Sequence, residues 1–198
     1  MVTLEKIEAV PTNIITGALG VGKTTQILKL LEEKPDSERW AVLVNEFGEI
    51  GIDGSLLETG RKGVFIREVP GGCMCCTSGL PMHIALNQLL AEARPDRLLI
   101  EPTGLGHPVE VLQTLNEPHY QDVLDVRATL TLIDARKLES EKWRNHSTFR
   151  EQLSIADVIV STKSDLYETH HLPLLTQHLA ELNLAKTHRV DAVKDSID

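Results

Sequence analysis

Along the whole chain, short runs of apolar and β-branched residues alternate with longer stretches in which apolar positions recur at helical spacing. The short runs predict strands at 12–16, 40–45, 64–69, 97–101, 128–133, 158–160 and 187–190. The longer stretches predict helices at 23–34, 79–93, 107–115, 149–156 and 171–182. This alternation is typical of a mostly parallel central sheet with helices on both faces. We therefore expect the 198 residues to form one three-layer α/β domain.

The segment 17–24, Gly-Ala-Leu-Gly-Val-Gly-Lys-Thr, lies between the first predicted strand and the first predicted helix. It fits the phosphate-binding pattern of Gly, four residues and Gly-Lys-Thr. Glycines let the backbone turn its N–H groups toward phosphates, and the helix N-terminus adds partial positive charge. An ordinary glycine-rich turn is the alternative, but both flanks favour a nucleoside triphosphate site of the P-loop type. The predicted nucleotide-binding residues in this segment are Gly17, Gly20, Val21, Gly22, Lys23, Thr24 and Thr25.

Two further segments complete the predicted nucleotide site. We expect Lys23 to contact the β- and γ-phosphates, while Thr24 and Glu101 hold Mg²⁺. Glu101 ends a predicted strand, and Gly104 follows it where a backbone N–H could contact the γ-phosphate. An acid that ends a strand before proline is also common without any such role.

The segment Thr-Lys-Ser-Asp at 162–165 resembles the guanine-selecting sequence Asn-Lys-x-Asp. Asp165 would accept hydrogen bonds from the N1–H and the exocyclic amine of guanine, which adenine does not offer in this arrangement. The stem of Lys163 would lie along the base, and Thr162 would keep a hydroxyl for bonding within the loop. A polar loop that opens the next helix is the alternative, but the sequence favours guanine over adenine.

All three cysteines of the chain lie in one glycine-flanked segment, at Cys73, Cys75 and Cys76. Thiolates favour soft ions such as Zn²⁺ or Cu⁺ over Mg²⁺, and a tetrahedral zinc site needs a fourth ligand. Water, another molecule or a carboxylate such as Glu49 could supply it. Buried structural cysteines or a redox-sensing thiol pair are the alternatives. The eight histidines are scattered, and we expect all of them at the surface.

Composition narrows the classes of partner. The net charge of −9 and an aromatic content of 4% argue against a nucleic-acid partner. The sequence has no apolar run of membrane-spanning length and no signal peptide at its N-terminus. Free thiols that cannot form a disulfide framework indicate a reducing, cytoplasmic location.

Five suspected functional segments each follow a predicted strand, at 17–24, 46–54, 71–78, 101–107 and 162–165. Because the carboxyl ends of parallel strands share one edge of a sheet, these segments are expected to converge there. Leu105 follows Gly104, so the glutamine that orients water in Ras-like proteins is missing. We expect Glu46 or Asp53, or a partner, to orient the attacking water, and intrinsic turnover to be slow. Loops 46–54 and 71–78 would act as switches.

The chain resembles the CobW family of metal-linked GTPases in six segments that follow the family order. These are Gly-Ala-Leu-Gly-Val-Gly-Lys-Thr-Thr at 17–25, Asn-Glu-Phe-Gly-Glu at 45–49, Gly-Cys-Met-Cys-Cys at 72–76, Glu-Pro-Thr-Gly at 101–104, Asp-Ala at 134–135 and Thr-Lys-Ser-Asp at 162–165. The resemblance implies GTP hydrolysis, zinc bound by the cysteines, and a metallochaperone or zinc-homeostasis role with a client metalloprotein. Many members have Asn in place of Thr162. Members also continue into a smaller C-terminal domain, so residues 1–198 would correspond to the GTPase domain.

Two other functions are compatible with the same residues. An ATP-dependent small-molecule kinase could use the same phosphate-binding loop. A non-catalytic zinc sensor or buffer could bind nucleotide only as a conformational signal. The client protein and the oligomeric state, including a homo-oligomer, are left open by the sequence.

Overall fold

The computed structural model describes residues 7–45, 57–58, 62–69, 80–104 and 106–194, and for 57–58 it describes the backbone alone. The strands of this part of the chain are β1 (Val10–Gly17), β2 (Trp40–Val44), β3 (Leu57–Glu58), β4 (Val64–Glu68), β5 (Arg97–Glu101), β6 (Leu124–Val126), β7 (Leu130–Ile133), β8 (Val158–Ser161) and β9 (His188–Asp191). The α-helices are α1 (Lys23–Glu33), α2 (Leu80–Ala93), α3 (Pro108–Leu115), α4 (Glu141–Arg144), α5 (Ser147–Ser154) and α6 (His171–Glu181). Two 3₁₀ turns span Ala135–Glu139 and Ser164–Leu166.

The strands form one sheet in the order β3-β4-β2-β5-β1-β7-β8-β9, and β6 also pairs with β1. Every strand pair is parallel except β3 with β4. Because the strands run the same way, their carboxyl ends lie along one edge of the sheet. The predicted mostly parallel sheet is confirmed.

Alternating residues of the strands build a core on each face of the sheet. Ile14 of β1 packs in one core with residues of α2 and α3. Its neighbour Ile15 packs in the opposite core with Ile27 and Leu31 of α1. Successive strand residues point to opposite faces, so both faces need a covering layer. Helices on both faces confirm the three-layer α/β arrangement.

The largest difference from the predicted elements concerns β6. The sequence predicts one strand at 128–133, but the structure has β6 and then β7, with a break between them. The amino-terminal half of β1 pairs with β6, and its carboxyl-terminal half pairs with β7. A strand of three residues with only one fully buried side chain carries too little hydrophobic pattern to predict. The two-residue strand β3 was also missed for its shortness.

The described helices include none whose length and apolar character would suffice to span a lipid bilayer.

Candidate functional site

A cleft of about 480 Å³ opens at the carboxyl edge of the sheet. Its lining comes from the loop after β1, the ends of β2 and β5, and the segment after β8. The lining residues are Leu19, Gly20, Gly22, Lys23, Thr24, Thr25, Asn45, Glu101, Pro102, Thr103, Gly104 and Lys163. Three segments that the sequence predicted to converge therefore meet in one cleft. Segments 46–54 and 71–78 were predicted to join them but lie outside the described residues.

The loop after β1 has the backbone geometry that a phosphate-binding loop needs. Gly22 precedes α1 with φ of +97°, a left-handed conformation in which residues with a side chain are strained. The backbone N–H groups of the first turn of α1 have no partner within the helix, so they can donate to an anion. This loop therefore presents N–H donors and positive helix-end charge to the cleft.

Lys23 is buried at the start of α1, with 7% of its surface exposed. Its Nζ lies 3.5 Å from the carbonyl oxygen of Ala18 across the loop. Burial lowers the pKa of Lys23, and the nearby Glu101 carboxylate partly offsets that effect. This Nζ···O distance is long for a hydrogen bond, and burial limits contact between the ammonium group and water. An anion in the cleft would supply the missing negative charge.

Thr24 and Glu101 place hard oxygen atoms next to each other. The Thr24 hydroxyl donates to the Glu101 carboxylate, with Oγ1 at 3.3 Å and 3.4 Å from its two oxygens. Burial raises the pKa of Glu101, while Lys23 and the Thr24 hydroxyl act in the opposite direction. Oxygen donors of this kind suit Mg²⁺, which binds through one or two protein groups and keeps several waters. The pair therefore fits the magnesium role predicted from the sequence.

Gly104 contacts the backbone of the phosphate-binding loop. A Cβ added at this position would lie 2.8 Å from the backbone nitrogen of Leu19 and 3.0 Å from its Cα. The Gly104 carbonyl accepts a hydrogen bond from Gln152 Nε2 at 3.2 Å, and Gln152 is fully buried in α5. Sequence reasoning missed Gln152, because a lone glutamine in a helix carries no motif. It anchors the segment after β5 against the helical layer.

A smaller cavity of about 190 Å³ adjoins the cleft at Lys163. It shares Gly22, Thr25 and Lys163 with the larger cleft, and Thr162 and Asp165 also line it. The segment predicted to select guanine therefore lies directly beside the phosphate-binding loop. The structure leaves the Asp165 side chain exposed to solvent. Such a side chain can reach a base without first breaking a buried contact.

The segment 162–163 is fixed to the strands and to the phosphate-binding loop. Thr162 donates to the carbonyl of Ile133 from both its backbone N–H, at 2.8 Å, and its hydroxyl, at 3.3 Å. Lys163 has a left-handed backbone with φ of +56°, and its Nζ donates to the carbonyl of Gly20 at 2.7 Å. The Thr162 hydroxyl thus bonds to the end of the neighbouring strand β7, and the prediction that it bonds within its own loop is wrong.

Asp134, at the end of β7, is a buried acid beside this segment. Arg136 donates to its carboxylate from Nε at 2.9 Å and from Nη2 at 2.7 Å, and Lys163 Nζ lies 4.0 Å away. Burial acts to raise the pKa of Asp134, but the Arg136 hydrogen bonds outweigh it and hold that pKa below the ordinary value. Asp134 thus stays charged and helps to hold Lys163 at the cleft.

The residues predicted to bind zinc, and those predicted to orient the attacking water, lie outside the described residues. These are Glu46, Glu49, Asp53, Cys73, Cys75 and Cys76. Their assignment remains a prediction.

The prediction that all histidines lie at the surface is wrong for two of them. His171 has 4% and His178 has 5% of its surface exposed. His171 Nε2 donates to a carboxylate oxygen of Glu139 at 3.0 Å, and His178 packs in parallel against the Phe149 ring. The helical spacing of α6 places both on its inner face, and the polar character of histidine hid that placement.

The comparisons with known proteins agree with this geometry. The model of the CobW/HypB/UreG nucleotide-binding domain matches residues 11–189. The zinc chaperone YeiR of Escherichia coli (strain K12) is 58% identical over 154 residues, 78% of this chain and 46% of that protein. The zinc chaperone CobW of a Sinorhizobium species is 30% identical over 209 residues, 92% of this chain and 59% of that protein. The predicted resemblance to the CobW family is confirmed.

A solved structure shares the fold. The Zn(II)-bound YjiA GTPase from E. coli superimposes with a TM-score of 0.63 at 25% identity, covering 86% of this chain and 54% of that one. The chain thus spans about half the length of the relatives that it matches. The match over residues 11–189 shows that this chain belongs to the CobW/HypB/UreG nucleotide-binding domain family.

Proposed function

We propose that this chain is the GTPase domain of a zinc-linked GTPase, which couples GTP binding and hydrolysis to the loading or release of zinc for a client metalloprotein. The observation that carries the proposal is a pair of adjoining cavities, which we call the two ends of one cleft and which share Gly22, Thr25 and Lys163 in their lining. Lys23 and the Thr24–Glu101 pair line the larger cavity, the phosphate end, and Asp165 lines the smaller one, the base end. The names of the relatives, zinc chaperones and a GTPase, support the same function.

At the phosphate end, the N–H groups of 20–25 and the Lys23 ammonium bind the triphosphate. Water attacks the γ-phosphorus, the bond to the β,γ-bridging oxygen breaks, and GDP and inorganic phosphate are released. Thr24, and Glu101 through water, would hold Mg²⁺, which would supply positive charge to the phosphates. Lys23 stabilises the negative charge of the phosphates from within the protein. Glu46, Asp53 or a partner protein orients the water.

Zinc is the cargo in this proposal. Cys73, Cys75 and Cys76 bind it as thiolates, with Glu49 or water as the fourth ligand. The loops 46–54 and 71–78 assemble the zinc site in one nucleotide state and open it in the other. The thiols need a reducing compartment, which the cytoplasm provides.

Coupling between nucleotide and zinc is tested by titrating zinc into protein loaded with GDP and into protein loaded with a non-hydrolysable GTP analogue. We expect different zinc affinities, because linkage requires each ligand to change the affinity of the other by the same factor. Equal affinities would remove the coupling. Cys75→Ala should weaken zinc binding and leave GDP binding unchanged, and loss of both would point to a structural thiol.

A nucleotide-gated zinc sensor without useful hydrolysis is the second candidate. The absence of a glutamine after Gly104, where Leu105 stands, favours it. Measuring phosphate release from GTP with and without zinc separates the two. Release that depends on Lys23 supports the GTPase, whereas nucleotide binding with no release in either condition supports the sensor.

A further inference from the structure

Three side chains outside the nucleotide cleft form a compact group of metal-ligating atoms, the His83–Glu117–His119 cluster. His83 lies in the first turn of α2, and Glu117 and His119 lie in the turn that follows α3. One ligand atom from each residue lies within 4.8 Å of the others. His83 Nε2 is 3.5 Å from one oxygen of Glu117, and His119 Nδ1 is 3.6 Å from the other. The topology brings together residues that are 34 to 36 positions apart in the sequence.

The hydrogen bonds around His83 fix which ring nitrogen carries the proton. The Tyr120 hydroxyl donates to Asn87 Oδ1 at 3.3 Å, so it accepts from His83 Nδ1, which lies 3.1 Å away. His83 Nε2 then has its lone pair directed at the cluster. A histidine that ligates a metal commonly donates its other N–H to such a partner.

The distances within the cluster fit a metal ion better than they fit direct hydrogen bonds. A tetrahedral zinc site with bonds of about 2.0–2.1 Å has ligand atoms roughly 3.3–3.4 Å apart. His83 Nε2 lies at about that separation, 3.5 Å, from one oxygen of Glu117, and His119 Nδ1 lies 3.6 Å from the other, so the carboxylate presents one oxygen to each nitrogen. Charge-assisted hydrogen bonds between nitrogen and carboxylate are shorter, about 2.7–2.9 Å.

A second group of the same composition, Glu139 with His170 and His171, provides an internal contrast. There the two Nε2 atoms lie 2.7 Å and 3.0 Å from one carboxylate oxygen, at hydrogen-bond distance. The backbone N–H of Glu168 donates to His171 Nδ1 at 2.7 Å, so Nε2 carries the proton of the neutral ring. That proton occupies the direction that a metal would need. This group is therefore a hydrogen-bonded network.

We propose that the His83–Glu117–His119 cluster is a zinc-binding site with three protein ligands and a fourth position open to water. Two imidazoles and one carboxylate suit Zn²⁺, and three-ligand sites of this kind leave a position for exchange. About half of the His119 side chain is exposed, and about a fifth of the His83 side chain. Zinc can therefore enter from solution. Its three ligands come from other residues than the cysteines at 73–76.

The test is the number of zinc ions that the purified chain binds, measured by competition with a chromogenic chelator. Wild type and His119→Ala are compared with His170→Ala, which removes an equally exposed histidine from the hydrogen-bonded group. We expect His119→Ala to bind one zinc ion fewer than wild type, and His170→Ala to bind the same number. Unchanged stoichiometry in His119→Ala, or an equal loss in both variants, would overturn the proposal.

Two further variants separate this site from the cysteines and from folding effects. In a chain with Cys73, Cys75 and Cys76 all changed to serine, Co²⁺ should still bind with d–d absorption but without thiolate charge-transfer bands. That absorption should vanish when His119→Ala is added, and its persistence would contradict the assignment. Tyr120→Phe keeps the buried ring but removes the partner of His83. It should weaken zinc at this site about 10- to 100-fold, as loss of an outer-shell hydrogen bond does. An unchanged affinity would show that His83 is not a ligand.

Discussion

The two ends of the cleft hold their polar groups in different ways. At the phosphate end, Lys23 and Glu101 are both buried, and burial disfavours the charged form of each. At the base end, Asp165 is exposed, and Lys163 keeps about 40% of its side chain in solvent. The charged forms of Lys23 and Glu101 are stabilised by each other and by a ligand, whereas solvent stabilises the exposed charges of Asp165 and Lys163.

This difference assigns separate roles to the two ends. Burial keeps water away from Lys23 and Glu101. The phosphates would pair with the Lys23 ammonium group and Mg²⁺ with the Glu101 carboxylate, so most of the binding free energy is expected at this end. An exposed carboxylate gains little from a ligand overall, but it can distinguish one base from another by donor and acceptor pattern. We therefore expect substitutions at the phosphate end to remove nucleotide binding, and substitutions at the base end to change selectivity.

The largest effect is expected for Lys23→Ala. GDP and GTP should bind about 100-fold more weakly, because a hydrogen bond between charged groups contributes roughly 1.5–3 kcal/mol. Fluorescence titration with a labelled GDP measures the change. Lys34→Ala is the matched control, since Lys34 ends the same helix and bonds only to the carbonyls of Pro35 and Glu38. Similar losses in both variants would mean that Lys23 has no special role.

Asp165→Asn tests the base end of the cleft, because it should weaken the binding of guanine nucleotides and not of adenine nucleotides. GTP should bind roughly 30-fold more weakly, since one acceptor becomes a donor facing the donors of guanine. ATP affinity should change little. The measurement is competition of each nucleotide against labelled GDP, with the exposed Asp36→Asn as control. A parallel loss for GTP and ATP would place Asp165 outside the base site.

Gly104→Ala tests the close contact between Gly104 and the Leu19 backbone of the phosphate-binding loop. The added methyl group would lie 2.8 Å from the Leu19 nitrogen, so the loop must shift at a cost of about 1–3 kcal/mol. We expect nucleotide affinity to fall about tenfold and the unfolding temperature to drop. Isothermal calorimetry and a thermal melt measure the two effects. Wild-type affinity together with a wild-type melting temperature would show that the loop yields freely.

A smaller effect concerns pH. Because the pKa of Glu101 is raised, a proton competes with Mg²⁺ at higher pH than for an ordinary glutamate. Affinity for Mg²⁺·GDP should therefore fall, roughly a few-fold, as the pH is lowered toward that raised pKa. Because the pKa of Lys23 is lowered, affinity should also fall at alkaline pH as the ammonium loses its proton. Glu101→Gln should lose the acidic limb and keep the alkaline one. If the dependence of affinity on pH were the same in Glu101→Gln as in wild type, the loss of affinity at acidic pH would belong to another group.

The sequence predicted the phosphate end more completely than its surroundings. Gly22, Lys23 and Thr24 belong to a contiguous pattern whose spacing follows from the ligand, so their place at the cleft could be read directly. Glu101 and Gly104 needed the parallel sheet to bring them near, and the strand pattern supplied it. Gln152 could not be predicted, because its role depends on the packing of α5 against a distant loop.

The histidines illustrate the same limit more strongly. His83 belongs to α2 and His119 to the turn after α3, and only the packing of these two segments makes the histidines neighbours. The burial of His178 follows from the inner face of α6, which residue type alone obscured. Short strands such as β6 could not be predicted from the sequence, because they form through pairing with a neighbouring strand and carry little pattern of their own.

The central claim is that one cleft binds a guanine nucleotide through Lys23 at one end and Asp165 at the other. Competition of GTP and ATP against labelled GDP on the purified wild-type chain with Mg²⁺ tests it most directly. The account predicts that GTP displaces the label at a concentration at least about tenfold lower than ATP does, consistent with one or two base-specific hydrogen bonds. Equal displacement by ATP, or no displacement by either nucleotide, would contradict it.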